Sequence, residues 1–337
     1  MDSTFVIAEM SCNHCGDLNL ARKIIDSAKE CGADAIKLQT SKAETLTIDC
    51  CNGLFKMSGG TPWDGRYLYD LYNDICMPWE WQKDLKNYAE SIGLELFSTP
   101  FDITAVDFLE SINVVRYKVA SFEAIDYSLV KYVASKQKPT IISVGVSSEE
   151  EMQEVVNVCK SVGNNDITLL KCTSAYPAKL EDMNLLTIPD MIQKFGPQGV
   201  KIGLSDHSMY IETAVAAVAL GAKVVEKHFT LDRSLGGADA AFSLNPAEFK
   251  ATVDAIRNTE KILGMVDYSV DEKNRKFARS LFVCEDIKKG EKLTKKNIRS
   301  IRPSDGLHPK CYDSVLGKIA NKDLERGTPL RLEDIEG

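Results

Sequence analysis

Short apolar runs alternate with amphipathic segments along most of the chain. Each run is apolar at successive positions, which is typical of parallel strands that are buried on both faces. The runs occupy residues 4–11, 34–40, 94–100, 114–121, 139–145, 167–174, 200–207 and 223–229. Between them, apolar residues recur three and four positions apart, which predicts helices that cover a sheet.

Helix start and stop signals support this alternation. Asp17 is suited to cap the first helix. Ser148 and Glu151 have the spacing of a capping box. Asn245 is suited to begin the last helix of the pattern, and Gly264 to end it.

Eight strand–helix units in about 265 residues predict a (β/α)8 TIM barrel, which is an α/β fold. A doubly wound open sheet is the competing fold. No G-x-G-x-x-G follows the first apolar run, which argues against the dinucleotide-binding form of that sheet. We therefore expect a barrel catalytic domain over residues 1–265, a polar linker over 266–280 and a small C-terminal domain over 281–337.

Two segments depart from the strand–helix alternation. Residues 41–81 form an insertion that is too long for a plain connection, which predicts a functional loop over the barrel mouth. In the C-terminal part, DIKKGEKLTKKNI at 286–298 and DLERGTPLRLEDI at 323–335 repeat one pattern. This repeat predicts a small pseudo-symmetric domain.

Charge and cysteine usage narrow the function classes. The net charge of −8 argues against a nucleic-acid partner. No apolar run reaches the roughly 18 residues of a membrane span, and the first residues lack a secretory signal. The ten cysteines are scattered without CxxC pairs, which indicates reduced thiols and a cytoplasmic enzyme.

Polar residues end all eight apolar runs, and in a TIM barrel these ends meet at the active-site face. Two of the chain's four histidines, His207 and His228, end the last two runs. Lys37, Lys118 and Lys171 lie inside or at the end of apolar runs, where a buried ammonium group needs an anionic partner. This pattern predicts a site for an anionic substrate.

Eight motifs carry a family resemblance. They are IAEMSCNHCGD at 7–17, IKLQT at 36–40, FSTPFD at 97–102, YKVASFE at 117–123, KCTSAYP at 171–177, GLSDHS at 203–208, VEKHF at 225–229 and IRPSDGLHPK at 301–310. In this order they resemble the sialic acid synthase family, in which a barrel precedes an antifreeze-like (SAF) domain. TPWDGRYLYDLY at 61–72, MPWEW at 77–81, FARSLFV at 277–283 and Phe122 most resemble the pseudaminic acid synthase branch.

The resemblance implies a transferase that condenses phosphoenolpyruvate with the open-chain aldehyde of an amino sugar. The products would be a nine-carbon sugar acid and phosphate, formed by C–O cleavage. For the pseudaminic branch, the acceptor would be 2,4-diacetamido-2,4,6-trideoxy-L-altrose. An N-acetylneuraminate or legionaminate synthase is the alternative within the family. The resemblance also implies a domain-swapped homodimer.

Site roles follow from the same resemblance. His207 and His228 would bind a divalent metal cation, Mn²⁺, Co²⁺ or Mg²⁺, and Glu9 would orient or deprotonate the attacking water. The phosphoenolpyruvate pocket would comprise Lys37, Thr99, Lys118, Ser121, Ser143, Ser174 and Ser205. The sugar would contact Gln39, Tyr176 and Asp239, together with Arg302 of the partner subunit.

Two other classes of function stay open at this point. A class I aldolase could use Lys171 as a Schiff-base lysine and would need no metal. A sugar-binding or ice-binding protein built around the SAF domain would not need lysines and histidines that converge in the barrel.

Overall fold

The computed structural model describes residues 3–59 and 63–336. The chain divides into two compact units, Met1–Gly264 and Met265–Gly337. No helix in the described part of the chain is long and apolar enough to cross a membrane.

The first unit contains a closed barrel of eight parallel strands, paired in sequence order from β1 round to β8. This architecture confirms the predicted TIM barrel. The strands are β1 Phe5–Glu9, β2 Ala35–Thr40, β3 Glu95–Pro100, β4 Tyr117–Val119, β5 Thr140–Ser143, β6 Ile167–Cys172, β7 Lys201–Asp206 and β8 Val224–His228. Each lies within one of the eight apolar runs of the sequence.

Three helices begin where the capping signals of the sequence place them. Asp17 accepts a hydrogen bond from the backbone N–H of the first helix. Ser148 with Glu151, and Asn245 with Glu248, form reciprocal capping boxes. The helices are α1 Leu18–Glu30, α2 Ala43–Leu46, α3 Leu68–Ile75, α4 Trp79–Ser91, α5 Ile103–Ser111, α6 Tyr127–Ser135, α7 Glu149–Ser161, α8 Thr187–Phe195, α9 Ile211–Ala219, α10 Pro246–Leu263, α11 Glu272–Arg275 and α12 Tyr312–Val315.

The insertion after β2 has secondary structure of its own. It includes α2, a 3-10 turn at Gly53–Phe55, α3 and the first turn of α4. The segment predicted as a functional loop therefore contains short helices, because local amphipathic patterns fold parts of it.

Side chains fill the barrel interior. Ile7, Phe97, Leu170 and Val224 form one buried cluster that spans it. Gly203 of β7 provides room for this cluster, because a Cβ atom there would lie 2.5 Å from the Val224 carbonyl oxygen and 2.6 Å from Leu170 Cδ2. Two larger apolar clusters lie between the strands and the surrounding helices.

The second unit contains a two-stranded antiparallel sheet and the two sequence repeats. The strands are β9 Ser280–Val283 and β10 Ile298–Ile301. Ile287 and Leu324, at the same position of each repeat, exchange backbone hydrogen bonds of 2.9 and 2.8 Å. Asp286 and Asp323 each accept a backbone N–H from the other repeat. The two repeats therefore stabilise each other reciprocally.

We predict that Gly203→Ala destabilises the protein by about 1–3 kcal/mol, because the added methyl group overpacks the barrel interior. Urea unfolding followed by circular dichroism measures the change. Gly53→Ala is the matched control, since no atom lies within 4 Å of the added Cβ. Equal stability of the two variants would contradict the packing argument.

Candidate active site

A cavity of about 440 Å³ opens at the carboxyl ends of the barrel strands. Its volume falls in the usual range for small-molecule sites. Most of the residues predicted for the site line it: Glu9, Lys37, Gln39, Lys118, Ser121, Ser143, Ser174, Tyr176, Ser205, His207, His228 and Asp239. The fold brings these residues together because parallel strands end at one edge.

Four buried ionisable groups that line the cavity form a cluster: Glu9, Lys37, Lys118 and Glu226. Lys37 Nζ lies 2.6 Å from Glu9 Oε2 and 3.7 Å from Glu226 Oε1. Lys118 Nζ lies 2.9 Å from Glu226 Oε1. Thr99 does not line the cavity, but its hydroxyl accepts a hydrogen bond of 3.1 Å from Lys37. Both lysines therefore have the anionic partners that burial requires.

The two glutamates of this cluster differ in acidity. Burial, which the ammonium group of Lys37 only partly offsets, raises the pKa of Glu9 to about 7. Burial acts on Glu226 in the same direction, but Lys118 and Lys37 outweigh it and lower the pKa of this carboxyl to about 2. Near neutral pH, Glu226 is thus a fixed carboxylate, whereas Glu9 can exchange a proton.

The two histidines face each other in the cavity. Their ring centroids are 5.3 Å apart. His207 Nδ1 lies 2.9 Å from the Thr173 carbonyl oxygen. Because a carbonyl only accepts, Nδ1 carries the proton and Nε2 of the neutral ring keeps a lone pair. His228 Nδ1 is buried without a hydrogen-bond partner among the described residues and lies 3.6 Å from Asp239 Oδ2.

These two imidazoles fit a divalent cation. Each is buried, and each has a ring nitrogen available for coordination. Across residues 3–59 and 63–336, no third histidine, cysteine, aspartate or glutamate completes a metal-ligand group with them. The protein would therefore contribute two ligands and leave the other positions to water or substrate oxygens.

A hydrogen-bonded chain connects two of the predicted sugar-binding residues, Gln39 and Asp239. Gln39 Nε2 donates to Glu9 Oε1 and to Ser11 Oγ, both at 3.0 Å. The Ser11 hydroxyl in turn donates to Asp239. Tyr176 stacks against His207, with ring centroids 4.4 Å apart. Gln39, Asp239 and Tyr176 are thus fixed beside the charged cluster and the histidines.

Not every predicted residue belongs to this cavity. Arg302 lies in the second unit, where it is exposed and follows β10, and its prediction concerns the partner's site rather than this cavity. Lys171 is also outside the lining, and its ammonium group donates to Thr173 Oγ1 at 2.6 Å. The position of Lys171 argues against the Schiff-base alternative.

Several lining residues received no predicted role from the sequence. Glu226 lies two residues before His228 on β8, so the period-two rule places both side chains on one face, and this signal was available. Ser11, Glu123 and Cys172 also line the cavity. The insertion contributes a mostly apolar part of the lining: Leu46, Met57, Leu71, Ile75 and Met77. No local pattern indicates which insertion residues reach the cavity.

Known proteins resemble this chain over nearly its whole length. A pseudaminic acid synthase of Campylobacter jejuni is 47% identical over 98% of this chain and 96% of the relative. An N,N'-diacetyllegionaminic acid synthase of Legionella pneumophila is 34% identical over 98% of this chain and 94% of the relative.

Solved structures and family profiles agree with this similarity. The crystal structure of an N-acetylneuraminic acid (sialic acid) synthetase from Leptospira borgpetersenii, in complex with citrate, superposes with a TM-score of 0.72 and 31% identity. The superposition covers 81% of this chain and 90% of that one. The NeuB family profile matches residues 24–268, and the SAF domain profile matches residues 278–336. The chain therefore belongs to the NeuB family of sialic acid synthases, which are carbon–carbon bond-forming transferases, and carries a C-terminal SAF domain.

Proposed function

We propose that the protein is a metal-dependent pseudaminic acid synthase. It condenses phosphoenolpyruvate with 2,4-diacetamido-2,4,6-trideoxy-L-altrose to a nine-carbon sugar acid and phosphate. The observation that carries this proposal is the shared cavity, in which two facing histidines lie beside two buried, carboxylate-paired lysines. The two histidines suit a cation, and the two lysines suit an anion.

Lys37 and Lys118 bind the carboxylate and phosphate of phosphoenolpyruvate. Their ammonium groups are already fixed by Glu9 and Glu226, so little conformational entropy is lost when the substrate binds. Hydroxyl groups add directional donors. That of Ser143 is buried without a hydrogen-bond partner among the described residues, which leaves it free to donate to a phosphate oxygen.

His207 and His228 hold the divalent cation. A bound divalent cation supplies Lewis acidity for an aldehyde oxygen. The Thr173 carbonyl fixes the tautomer and the ring orientation of His207, as a hydrogen-bond partner of a metal-binding histidine commonly does. Mn²⁺ and Co²⁺ suit imidazole ligands better than Mg²⁺ does.

Glu9 handles the proton balance at phosphoenolpyruvate. C3 of the enol forms a bond to the aldehyde carbon, whose oxygen takes up a proton. Water adds its oxygen to C2 and releases one proton. The bond between C2 and the phosphate ester oxygen then breaks, the new hydroxyl at C2 becomes the ketone, and its proton leaves with the phosphate. A carboxyl group with a pKa of about 7 can accept the proton of that water near neutral pH.

The acceptor assignment has two supports. The identity to a pseudaminic acid synthase is 47%, against 34% for a legionaminic acid synthase. The insertion lines the cavity with apolar side chains such as Met57, Leu71 and Ile75, which suit the methyl group of a 6-deoxy sugar better than a hydroxymethyl group.

We also propose that the enzyme acts as a domain-swapped homodimer in which Arg302 completes the partner's site. The start of the second unit exposes Met265, Val266 and Tyr268 by 85, 84 and 93%. Closely spaced exposed apolar residues favour a covering surface, which a second copy of the chain would provide. A cytoplasmic location remains our proposal from the ten cysteines, all of which are free thiols in the described part of the chain.

Turnover of both substrates tests the proposed reaction. Phosphate release from phosphoenolpyruvate should equal acceptor consumption, stop with chelator and return with Mn²⁺. His207→Ala should lose at least about a thousandfold in kcat, because one of two protein ligands is removed. A colorimetric phosphate assay with the altrose acceptor, its legionaminic-type counterpart and N-acetylmannosamine measures this activity. Preference for N-acetylmannosamine would contradict the acceptor assignment and leave the family unchanged.

Glu123 is a cavity residue whose Oε2 is buried without a hydrogen-bond partner among the described residues. Burial raises the pKa of this carboxyl from 4.5 to about 7. The unfolded chain therefore ionises first, and the folded state loses stability as the pH rises from about 4.5 to about 7. Above that range the loss is complete.

Glu123→Gln removes this destabilisation. Its stability gain over the wild type should be larger at pH 8.5 than at pH 5.5, by roughly 1–2 kcal/mol. Urea unfolding at both pH values measures the gain. Glu123→Asp keeps an ionisable group and should retain the wild-type pH dependence. An equal gain of the Gln variant at both pH values would show that this carboxyl is not perturbed.

Complementation between two inactive variants tests the proposed domain swap. His207→Ala and Arg302→Ala should each have low activity, but a co-refolded mixture should regain activity in about a quarter of its sites. In a heterodimer, one barrel has His207 intact and receives Arg302 from the other chain. A mixture of His207→Ala with Lys37→Ala is the control, because both changes lie in the barrel. No recovery in the first mixture would contradict the swap.

A further inference from the structure

A buried ion pair lies immediately behind the two histidines. Lys227 Nζ is 2.7 Å from Asp206 Oδ2, and the two side chains are 1% and 0% exposed. Asp206 and Lys227 face each other across the last paired position of β7 and β8. Each precedes one of the histidines, His207 or His228, by a single residue.

Hydrogen bonds extend from this pair to the backbone beyond His207. Asp206 Oδ1 accepts the backbone N–H of Ser208 at 2.8 Å. Lys227 Nζ donates to the backbone carbonyl of Ser208 at 2.9 Å. Thr213 of α9 donates its hydroxyl to Asp206 Oδ2. Asp206 and Ser208, the residues on either side of His207, are thus both bound by the side chain of Lys227 on β8.

His207 needs this attachment more than His228 does. The β7–β8 pairing ends at Asp206, so His207 lies one residue beyond the last paired position. His228 remains inside β8 and pairs with Glu9, and its carbonyl accepts the N–H of Leu244 at 2.9 Å. The His207 carbonyl likewise accepts a backbone N–H, from Ala178 at 3.1 Å, so the difference between the two histidines is that only His207 lies beyond the strand pairing. The distance between the two rings therefore depends in part on what holds the end of β7.

Stability alone is a weak explanation for the ion pair. Desolvation of two charges offsets much of their attraction, and apolar replacements of similar shape are often neutral or stabilising. Neither Asp206 nor Lys227 lines the cavity, because alternate strand residues point to opposite faces. The pair therefore does not touch the substrate, and the geometry it fixes is that of the neighbouring histidines.

We infer that Asp206 and Lys227 are positioning residues that set the spacing of His207 and His228 for a shared cation. The inference rests on the proposed metal-binding role of the histidines. Outer partners of metal ligands typically change metal affinity about 10–100-fold. Loss of the ion pair should therefore weaken cation binding even when the fold is intact.

The test is a Mn²⁺ titration of chelator-treated, full-length protein without substrate, followed by the electron paramagnetic resonance signal of free Mn²⁺. Asp206→Asn/Lys227→Met removes both charges together, which avoids an unpaired buried charge. We expect its Kd for Mn²⁺ to rise at least tenfold. Lys227→Arg keeps the charge and should stay within about threefold of the wild type.

A second, partly exposed ion pair serves as the control for a general loss of stability. Arg257 Nη2 lies 2.6 Å from Asp34 Oδ2 at the opposite end of the barrel, where Asp34 precedes β2. Asp34→Asn/Arg257→Met should lower the thermal midpoint and leave Mn²⁺ affinity unchanged. Thr213→Val removes one hydrogen bond to Asp206 and serves as the milder variant if the double variant does not fold. Its expected loss of Mn²⁺ affinity is about two- to fivefold.

Two outcomes would overturn the inference in distinguishable ways. Unchanged Mn²⁺ affinity in a folded Asp206→Asn/Lys227→Met protein, or in Thr213→Val if the double variant does not fold, would reduce the pair to a structural role and leave the proposed function intact. Absence of Mn²⁺ binding by the wild type would overturn both the positioning role and the metal-dependent function.

Discussion

The electrostatic balance at the barrel mouth is the constraint on which the rest of the structure depends. Lys37 and Lys118 are buried, and a buried ammonium group is tolerated only beside an anion. Glu226 serves both lysines, while Glu9 pairs with Lys37 alone. Because each of the four groups extends from a different position of the closed sheet, the balance exists only when β1, β2, β4 and β8 are in register. Correct closure of the barrel and assembly of the anion site are therefore one event.

The sequence predicts most of this arrangement for a definite physical reason. Strands buried on both faces are apolar at successive positions, so interruptions by Lys37, His207 or His228 stand out. Parallel topology then places the ends of all strands at one edge. Capping residues identify the starts of α1, α7 and α10, since each N-cap side chain satisfies a local N–H.

What the sequence does not predict is set by contacts between distant segments. Glu123 and Ser11 lie in loops, where no period fixes the direction of a side chain. The room that Gly203 leaves for Leu170 and Val224 is a property of three neighbouring strands together. Met57 and Leu71 reach the cavity through the packing of the insertion. The strand ends thus carry the charged part of the site, and the insertion after β2 carries the apolar part.

The reciprocal pairing of the two repeats in the second unit constrains how this domain forms. Asp286 and Asp323 each satisfy a backbone N–H of the other copy, so neither copy alone completes its own turn. Without its counterpart, each copy would leave a backbone N–H, that of Lys289 or Arg326, without this acceptor. The two copies therefore acquire their turns together, and neither half of the domain is a folding unit by itself.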